Sequence, residues 1–310
     1  MDEKKNIKIG DVFFEHPVLN ASGCWCMTKE QIDKLYGSKL AGIVMKTCSA
    51  KQKNGNPEPN YYHDKINDIH FNSKGLPNLG YEYYKNIVVD YIKCEKPIIF
   101  SVSCENFDDI AFILSDIETT LNKNVLVEIN MSCPNVNSRI TGYHKKEIIK
   151  LLDFISTFNF KFVKIGLKLP PYFEIEFITK LATILNNYTD FLKFIVVSNS
   201  IPNTLILNQH TCDREPLLSN KYGGMSGKMN KYISLSNVMT FSKTLSKEIR
   251  IIGCGGIENA DDVFDYLKYG ASFVQLASCF YDEEANELNI SQINELILFN
   301  KNELISKCYV

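Results

Sequence analysis

Short apolar runs alternate with apolar stripes at three- and four-residue spacing along almost the whole of this chain. Runs rich in Val, Ile and Phe occupy 18–21, 42–46, 97–102, 125–130, 162–167, 194–198, 250–253 and 272–276. Each has the length and composition of a buried strand. Between them, Ile110, Leu114, Ile117 and Leu121 form one helical stripe. Ile148, Leu151, Leu152 and Ile155 form a second, and Val263, Phe264 and Leu267 a third. Strands alternating with helices predict parallel βαβ units. Eight such units are the count of a closed (β/α)8 barrel. An open doubly wound sheet is the alternative, but no Gly-x-Gly-x-x-Gly turn follows the first strand, which counts against a dinucleotide-binding fold.

Further patterning supports the barrel. Polar residues gather where the runs end: Asn20 and Ser22, Lys46 and Thr47, Ser101 and Ser103, Asn130, Lys168, Asn199 and Ser200, then Gly255 and Gly256. Barrel active sites lie at that face. The runs 7–9 and 12–14 flank Gly10-Asp11, a hairpin signal placed to cover the opposite end. Two connections, 48–79 and 201–231, are long and rich in Gly, Asn, Pro and Lys. They read as long loops at the C-terminal face, of the kind that serve as lids or binding loops. With no repeat, linker or low-complexity tract, a single domain over 1–310 is expected.

Composition narrows the partners. The chain is 45% hydrophobic with a net charge of -2, which gives no electrostatic case for nucleic acid or an anionic membrane. The hydrophilic start and the lack of an apolar stretch of bilayer length predict a soluble, cytoplasmic protein. Its ten cysteines are then expected as reduced thiols. Cys24-Trp25-Cys26 is the one close pair, and the five histidines are scattered, so no metal is expected.

The candidate chemistry sits at the strand ends. The run 125–130 ends in Asn130, Ser132, Cys133 and Asn135, interrupted by Pro134. Two amides, a hydroxyl and a thiol on a rigid strand end suit a ring that bears amide and carbonyl groups. A small buried cysteine in a turn is the alternative. Lys46 and Lys168 close apolar strands, where a charge is disfavoured unless paired or functional; a lysine that snorkels to water is the other reading. The glycines of 253–257 precede a helix in the seventh unit, where backbone amides approach phosphate in many barrels. A tight turn without a ligand has the same sequence. The segment 72–78 is turn-rich and offers amides from Asn72 and Asn78.

Taken together these pieces resemble dihydroorotate dehydrogenases, specifically the soluble class 1A enzymes. The matching motifs are Asn20-Ala21-Ser22-Gly23, Gly55-Asn56-Pro57-Glu58-Pro59, and Asn72-Ser73 with Gly75-Leu76-Pro77-Asn78-Leu79-Gly80. They continue with Asn130, Ser132-Cys133-Pro134-Asn135-Val136, Lys168 with Pro170-Pro171-Tyr172-Phe173, Asn199-Ser200-Ile201, and 253–257. Cys133 selects the class, since the membrane-associated enzymes have Ser there and an N-terminal membrane segment. The resemblance implies an FMN-dependent homodimer that oxidises dihydroorotate to orotate in pyrimidine synthesis and passes the electrons to fumarate. It implies Cys133 as the base and Lys46 beside it as catalytic residues. Lys46, Asn72, Gly75, Leu76, Asn130, Asn135, Asn199 and Ser200 would orient the substrate. Ala21, Ser22, Lys46, Thr47, Asn130, Lys168, Ser198, Gly227, Gly255, Gly256, Ala277 and Ser278 would hold FMN.

The chain departs from the family pattern at several places. Lys74 stands where Met is usual, and 137–141 reads Asn-Ser-Arg-Ile-Thr instead of Pro-Gly-Lys-Pro-Gln. Pro202 replaces a Gly, and Ser198 and Ala277 replace Val and Gly at the flavin. Gly224-Met225-Ser226-Gly227 is closer to the membrane-associated class. Competing readings are a divergent FMN reductase for another small acid, and a flavin-binding protein without turnover.

Overall fold

The computed structural model describes residues 7–91, 96–121, 125–132, 140–208, 212–282 and 287–298. In chain order its elements begin with β1 (Ile7–Ile9), β2 (Val12–Phe14), β3 (Val18–Asn20), α1 (Lys29–Gly37), β4 (Ile43–Val44), β5 (Tyr61–Asp64), β6 (Ile69–Asn72) and α2 (Tyr81–Tyr91). Then come β7 (Ile98–Ser103), α3 (Phe107–Leu121), β8 (Val125–Asn130), α4 (Lys145–Ser156), β9 (Val163–Leu169), α5 (Ile175–Leu185) and β10 (Leu192–Val197). The last part holds β11 (Ile201–Leu205), β12 (Tyr222–Gly227), α6 (Asn230–Thr244), β13 (Arg250–Cys254), α7 (Ala260–Lys268), β14 (Phe273–Leu276), β15 (Tyr281–Asp282), β16 (Glu287–Leu288) and α8 (Ile290–Leu298).

Eight parallel strands run in the order β3-β14-β13-β10-β9-β8-β7-β4. The ring closes between β3 and β4 through a parallel bridge from Leu19 to Gly42. β4 is short, and the Asn20 amide completes the seam: its Nδ2 donates to Val44 O at 2.7 Å, and Val44 N donates to its Oδ1 at 2.9 Å. This is a (β/α)8 barrel, as the pattern of eight apolar runs predicts.

Alternate strand residues fill the interior. Leu19, Val44, Ile99, Leu126, Phe194, Val196, Ile252 and Phe273 form one cluster there. Gly166 makes room for one of them, since a Cβ at that position would lie 2.2 Å from the Phe194 ring. Ile9 and Phe14 of the β1–β2 hairpin belong to the same cluster, and the Phe14 and Phe273 rings meet edge-on at 5.0 Å. The hairpin therefore plugs the N-terminal end. Outside the ring, the predicted stripes are buried: Ile110, Leu114, Ile117 and Leu121 on α3, and Ile148, Leu151, Leu152 and Ile155 on α4.

The two long connections are not merely loops. Together they form a four-stranded antiparallel sheet, β11-β12-β6-β5, in which Asn72 pairs with Gly224 and Phe71 with Met225. Their sequences hid this. Tyr-Tyr-His-Asp and Tyr-Gly-Gly-Met-Ser-Gly carry polar and glycine positions and little alternation, and the pairing joins segments far apart in the chain. Pro202 is tolerated because β11 is an edge strand of this sheet.

Candidate active site

The strand ends and the inner side of this sheet enclose one cavity of about 1250 Å³. Among the described residues, every predicted site position lines it: Ala21, Ser22, Lys46, Thr47, Asn72, Gly75, Leu76, Asn130, Lys168, Ser198, Asn199, Ser200, Gly227, Gly255, Gly256, Ala277 and Ser278. Cys133 and Asn135 lie outside the described residues. Ser132, just before Cys133, lines the cavity, and its N–H donates to Asn130 Oδ1 at 3.1 Å.

Each wall has a local cause. Asn199 Nδ2 donates to Asn130 Oδ1 at 3.2 Å, so the ends of β10 and β8 are tied by paired amides. The segment after β6 wraps around buried Asn78, which accepts from Ser49 N and Gly80 N and donates to Leu76 O at 2.9 Å. That wrapping presents Gly75 and Leu76 inward. Lys74 also lines the cavity, but its ammonium lies over the Tyr61 ring at 5.3 Å and donates to Asn60 Oδ1 at 3.4 Å.

At the opposite side, Gly255 (φ +136) and Gly256 (φ +59) follow β13. A Cβ on Gly256 would come within 2.8 Å of Lys228 O and Lys231 N, and one on Gly255 within 2.6 Å of Ser234 Oγ. Only bare backbone fits between this turn and the start of α6. Asn230, at that helix start, lines the cavity with a buried Oδ1 that has no hydrogen-bond partner among the described residues. Small residues, backbone free of side chains at Gly255 and Gly256, and an adjoining helix N-terminus suit a phosphate group. The residues present therefore fit a flavin mononucleotide, with Lys168 as the cation on the floor.

The floor itself contains residues that sequence reasoning missed. Lys168 Nζ donates to Gln275 Oε1 at 3.2 Å, and Gln275 Nε2 donates to Glu128 Oε2 at 2.7 Å. Ser101 Oγ donates to the other oxygen of Glu128 at 3.1 Å. The chain continues through Thr47 to Ser22 in two hydroxyl contacts of 2.8 Å. Burial opposes the charge on Lys168, but the fields of Cys254 and Glu128 outweigh it and lift the ammonium above its usual range. Burial in turn pushes the Cys254 thiol up, although the neighbouring Lys168 opposes that shift. The signal was a carboxylate inside a wholly apolar run, and a Gln in another. Burial also raises Cys48, to about 12, and Cys279.

The fold gathers histidines that are scattered in sequence. His63 and His70 are directly opposed on β5 and β6, and with Asp68 their donor atoms lie within 4.8 Å of one another. The two rings are stacked, with centroids 4.0 Å apart and planes 6° from parallel. Both Nε2 atoms face Asp68 Oδ1, at 3.1 Å from His63 and 3.6 Å from His70, and Tyr61 Oη meets His70 Nδ1 at 2.6 Å.

A family model described as dihydroorotate dehydrogenase matches residues 5–297. A Streptococcus pyogenes serotype M3 protein carrying the name dihydroorotate dehydrogenase A (fumarate) is 37% identical over 279 residues, 89% of this chain and 87% of its own length. A Lachancea kluyveri protein named dihydroorotate dehydrogenase (fumarate) is 34% identical over 273 residues, 87% of this chain and 85% of its own. A Streptococcus agalactiae serotype Ia protein with the former name is 34% identical over 278 residues, 89% of this chain and 87% of its own.

Proposed function

We propose that this chain, which belongs to the dihydroorotate dehydrogenase family, is an FMN enzyme that oxidises dihydroorotate to orotate and reduces fumarate. The observation that carries the reading is the gathering of Lys46, Asn130, Lys168 and Asn199 on one cavity, at the C-terminal face of a barrel matched over nearly its whole length.

In this reading Gly227, Gly255, Gly256, Ala277 and Ser278 hold the phosphate end of FMN. Ala21, Ser22, Lys46, Thr47, Asn130, Lys168 and Ser198 hold its ring. FMN when bound accepts the hydride and supplies the redox chemistry. The chain's residues do the rest. Lys46 binds the substrate carboxylate and orients the ring. Asn72, Asn130, Asn135 and Asn199, with Ser200 and the backbone at Gly75 and Leu76, satisfy its amide and carbonyl edges. Cys133 takes the proton from the ring carbon next to the one that loses hydride. The sheet formed by β5, β6, β11 and β12 covers the cavity and limits water.

The protein is further proposed to be a cytosolic homodimer in which 201–231 contributes to the interface; sedimentation velocity at micromolar concentration reads this as a two-subunit species. The test of the function is a purified sample examined under anaerobic conditions. Released cofactor identified by mass should be FMN at about one per chain, as expected for one barrel site. Dihydroorotate should bleach the flavin absorbance, and fumarate should restore it. A sample that binds FMN but is not bleached would refute the dehydrogenase reading.

A further inference from the structure

Glu128 is wholly buried, one layer below the cavity it serves. It is 0% exposed, against 1% for Gln275 and 4% for Lys168. Gln275 and Lys168 line the cavity, whereas the Glu128 side chain does not and reaches Gln275 from beneath. A carboxylate accepts only and an ammonium donates only. The Gln275 amide between them has therefore one orientation, Nε2 toward Glu128 and Oε1 toward Lys168. Ser101 Oγ donates to the second carboxylate oxygen, so each oxygen of Glu128 has a donor. An unpaired charge at this depth would be strongly disfavoured, and removing one member of a buried pair leaves the other uncompensated.

The other groups that act on Lys168 are Cys254 at the end of β13 and Cys26 after β3. Both are thiols, and Glu128 is the one carboxylate among these groups. Burial pushes the Cys254 thiol up, and Cys26 Sγ accepts from Gly23 N at 3.3 Å and lies within donating distance of Gly23 O at 3.5 Å. We propose that Glu128 is the buried counter-ion that keeps Lys168 cationic on the cavity floor, acting through the Gln275 amide. Glu128 is thus a positioning residue: it fixes the protonation and direction of a cation that meets the bound molecule. The consequence for the flavin rests on the proposed function. A floor ammonium stabilises the negative charge that reduction places on the ring, and that stabilisation lasts only while Lys168 holds its proton.

The test is a pH titration of the purified protein carrying 13Cε-lysine, followed by NMR, with Lys168→Met identifying the signal. In the parent, Lys168 should stay protonated to about pH 10 or above, its usual range or higher. In Glu128→Gln, which preserves shape and removes the charge, the midpoint should fall by about one to three pH units, as for a buried lysine that has lost its partner. Gln275→Leu, which leaves the carboxylate and cuts the relay, should lower it by less. An unchanged midpoint in Glu128→Gln overturns the proposal. Should that variant fail to fold, Gln275→Leu decides: a lowered midpoint supports the relay and an unchanged one overturns it. This readout needs neither turnover nor a named cofactor, so its failure leaves the dehydrogenase reading standing. With flavin bound, the midpoint potential of Glu128→Gln should fall more steeply with pH than the parent's, because reduction then takes up one more proton. Parallel slopes overturn the flavin consequence.

Discussion

Among the cysteines, burial raises Cys48, Cys254 and Cys279, which makes them poor bases at neutral pH. Cys133 follows the strand that ends at Asn130 on the cavity, and the proposed function gives it the proton abstraction. Cys133→Ala should keep FMN, because all of its proposed ligands except Asn130 lie on other strands or turns. Flavin reduction by dihydroorotate in stopped flow should slow by about two to four orders of magnitude, the usual contribution of a placed base. Cys133→Ser should retain some reduction but need higher pH, since a hydroxyl is a far weaker acid than a thiol near its reference pKa of about 8.5. Native rates in both variants would mean that Cys133 only packs. At this scale much was legible. Lys46, Lys168 and the asparagines stand out because polar groups at the ends of apolar runs need a reason. Glu128 and Gln275 carried the same signal inside their runs, but a single inward position within a strand is masked by its apolar neighbours.

Among the elements, β4 has only two residues, and the barrel seam depends on a side chain standing in for backbone. Asn20 is 3% exposed and satisfies both the N–H and the C=O of Val44. Asn20→Ala would leave two buried backbone groups unpaired, at about 1–3 kcal/mol each. Urea unfolding should show a loss of about 2–6 kcal/mol on that basis, where a surface Asn→Ala change would cost little. The barrel strands and helices were readable because each carries its own apolar pattern. The sheet over the cavity was not, because its strands are held by partners from the other long connection. Nothing within 61–72 or 201–227 announces the pairing of Asn72 with Gly224.

At the scale of the whole molecule, one acid couples stability to pH. Glu258, after β13, is pushed up to about 7 by burial and by the Asp68 carboxyl beside it. Asp68, at the β5–β6 turn, is held below its usual range despite its burial, by His63, Glu258 and His70. Glu258 has a folded pKa above its unfolded value near 4.5. Between these values the folded protein keeps a proton that the unfolded chain releases, so stability falls as pH rises through this window. The full effect is at most about 3 kcal/mol and is lowered by partial exposure. Asp68 works in the other direction and lower down: its contribution is present above its unfolded pKa and is lost as pH falls through its folded one. Glu258→Gln should flatten the decline in Tm between about pH 5 and 7 and raise Tm at pH 8. An unchanged pH profile would mean that Glu258 titrates normally.

The seam of the barrel also sets a timetable. The first barrel strand, β3, is held on one side by β14, the last, through Val18 to Val274 and Asn20 to Leu276. During synthesis the early strands can pair among themselves, but the ring stays open until the segment ending at Leu276 has emerged. The Gly255–Gly256 turn and Ser278 arrive just before and after that moment. The cavity therefore needs residues from both ends of the barrel before its wall is complete. A nascent chain stalled before β14 should capture no FMN if the proposed function holds, because Ala277 and Ser278 are then missing from the cavity wall.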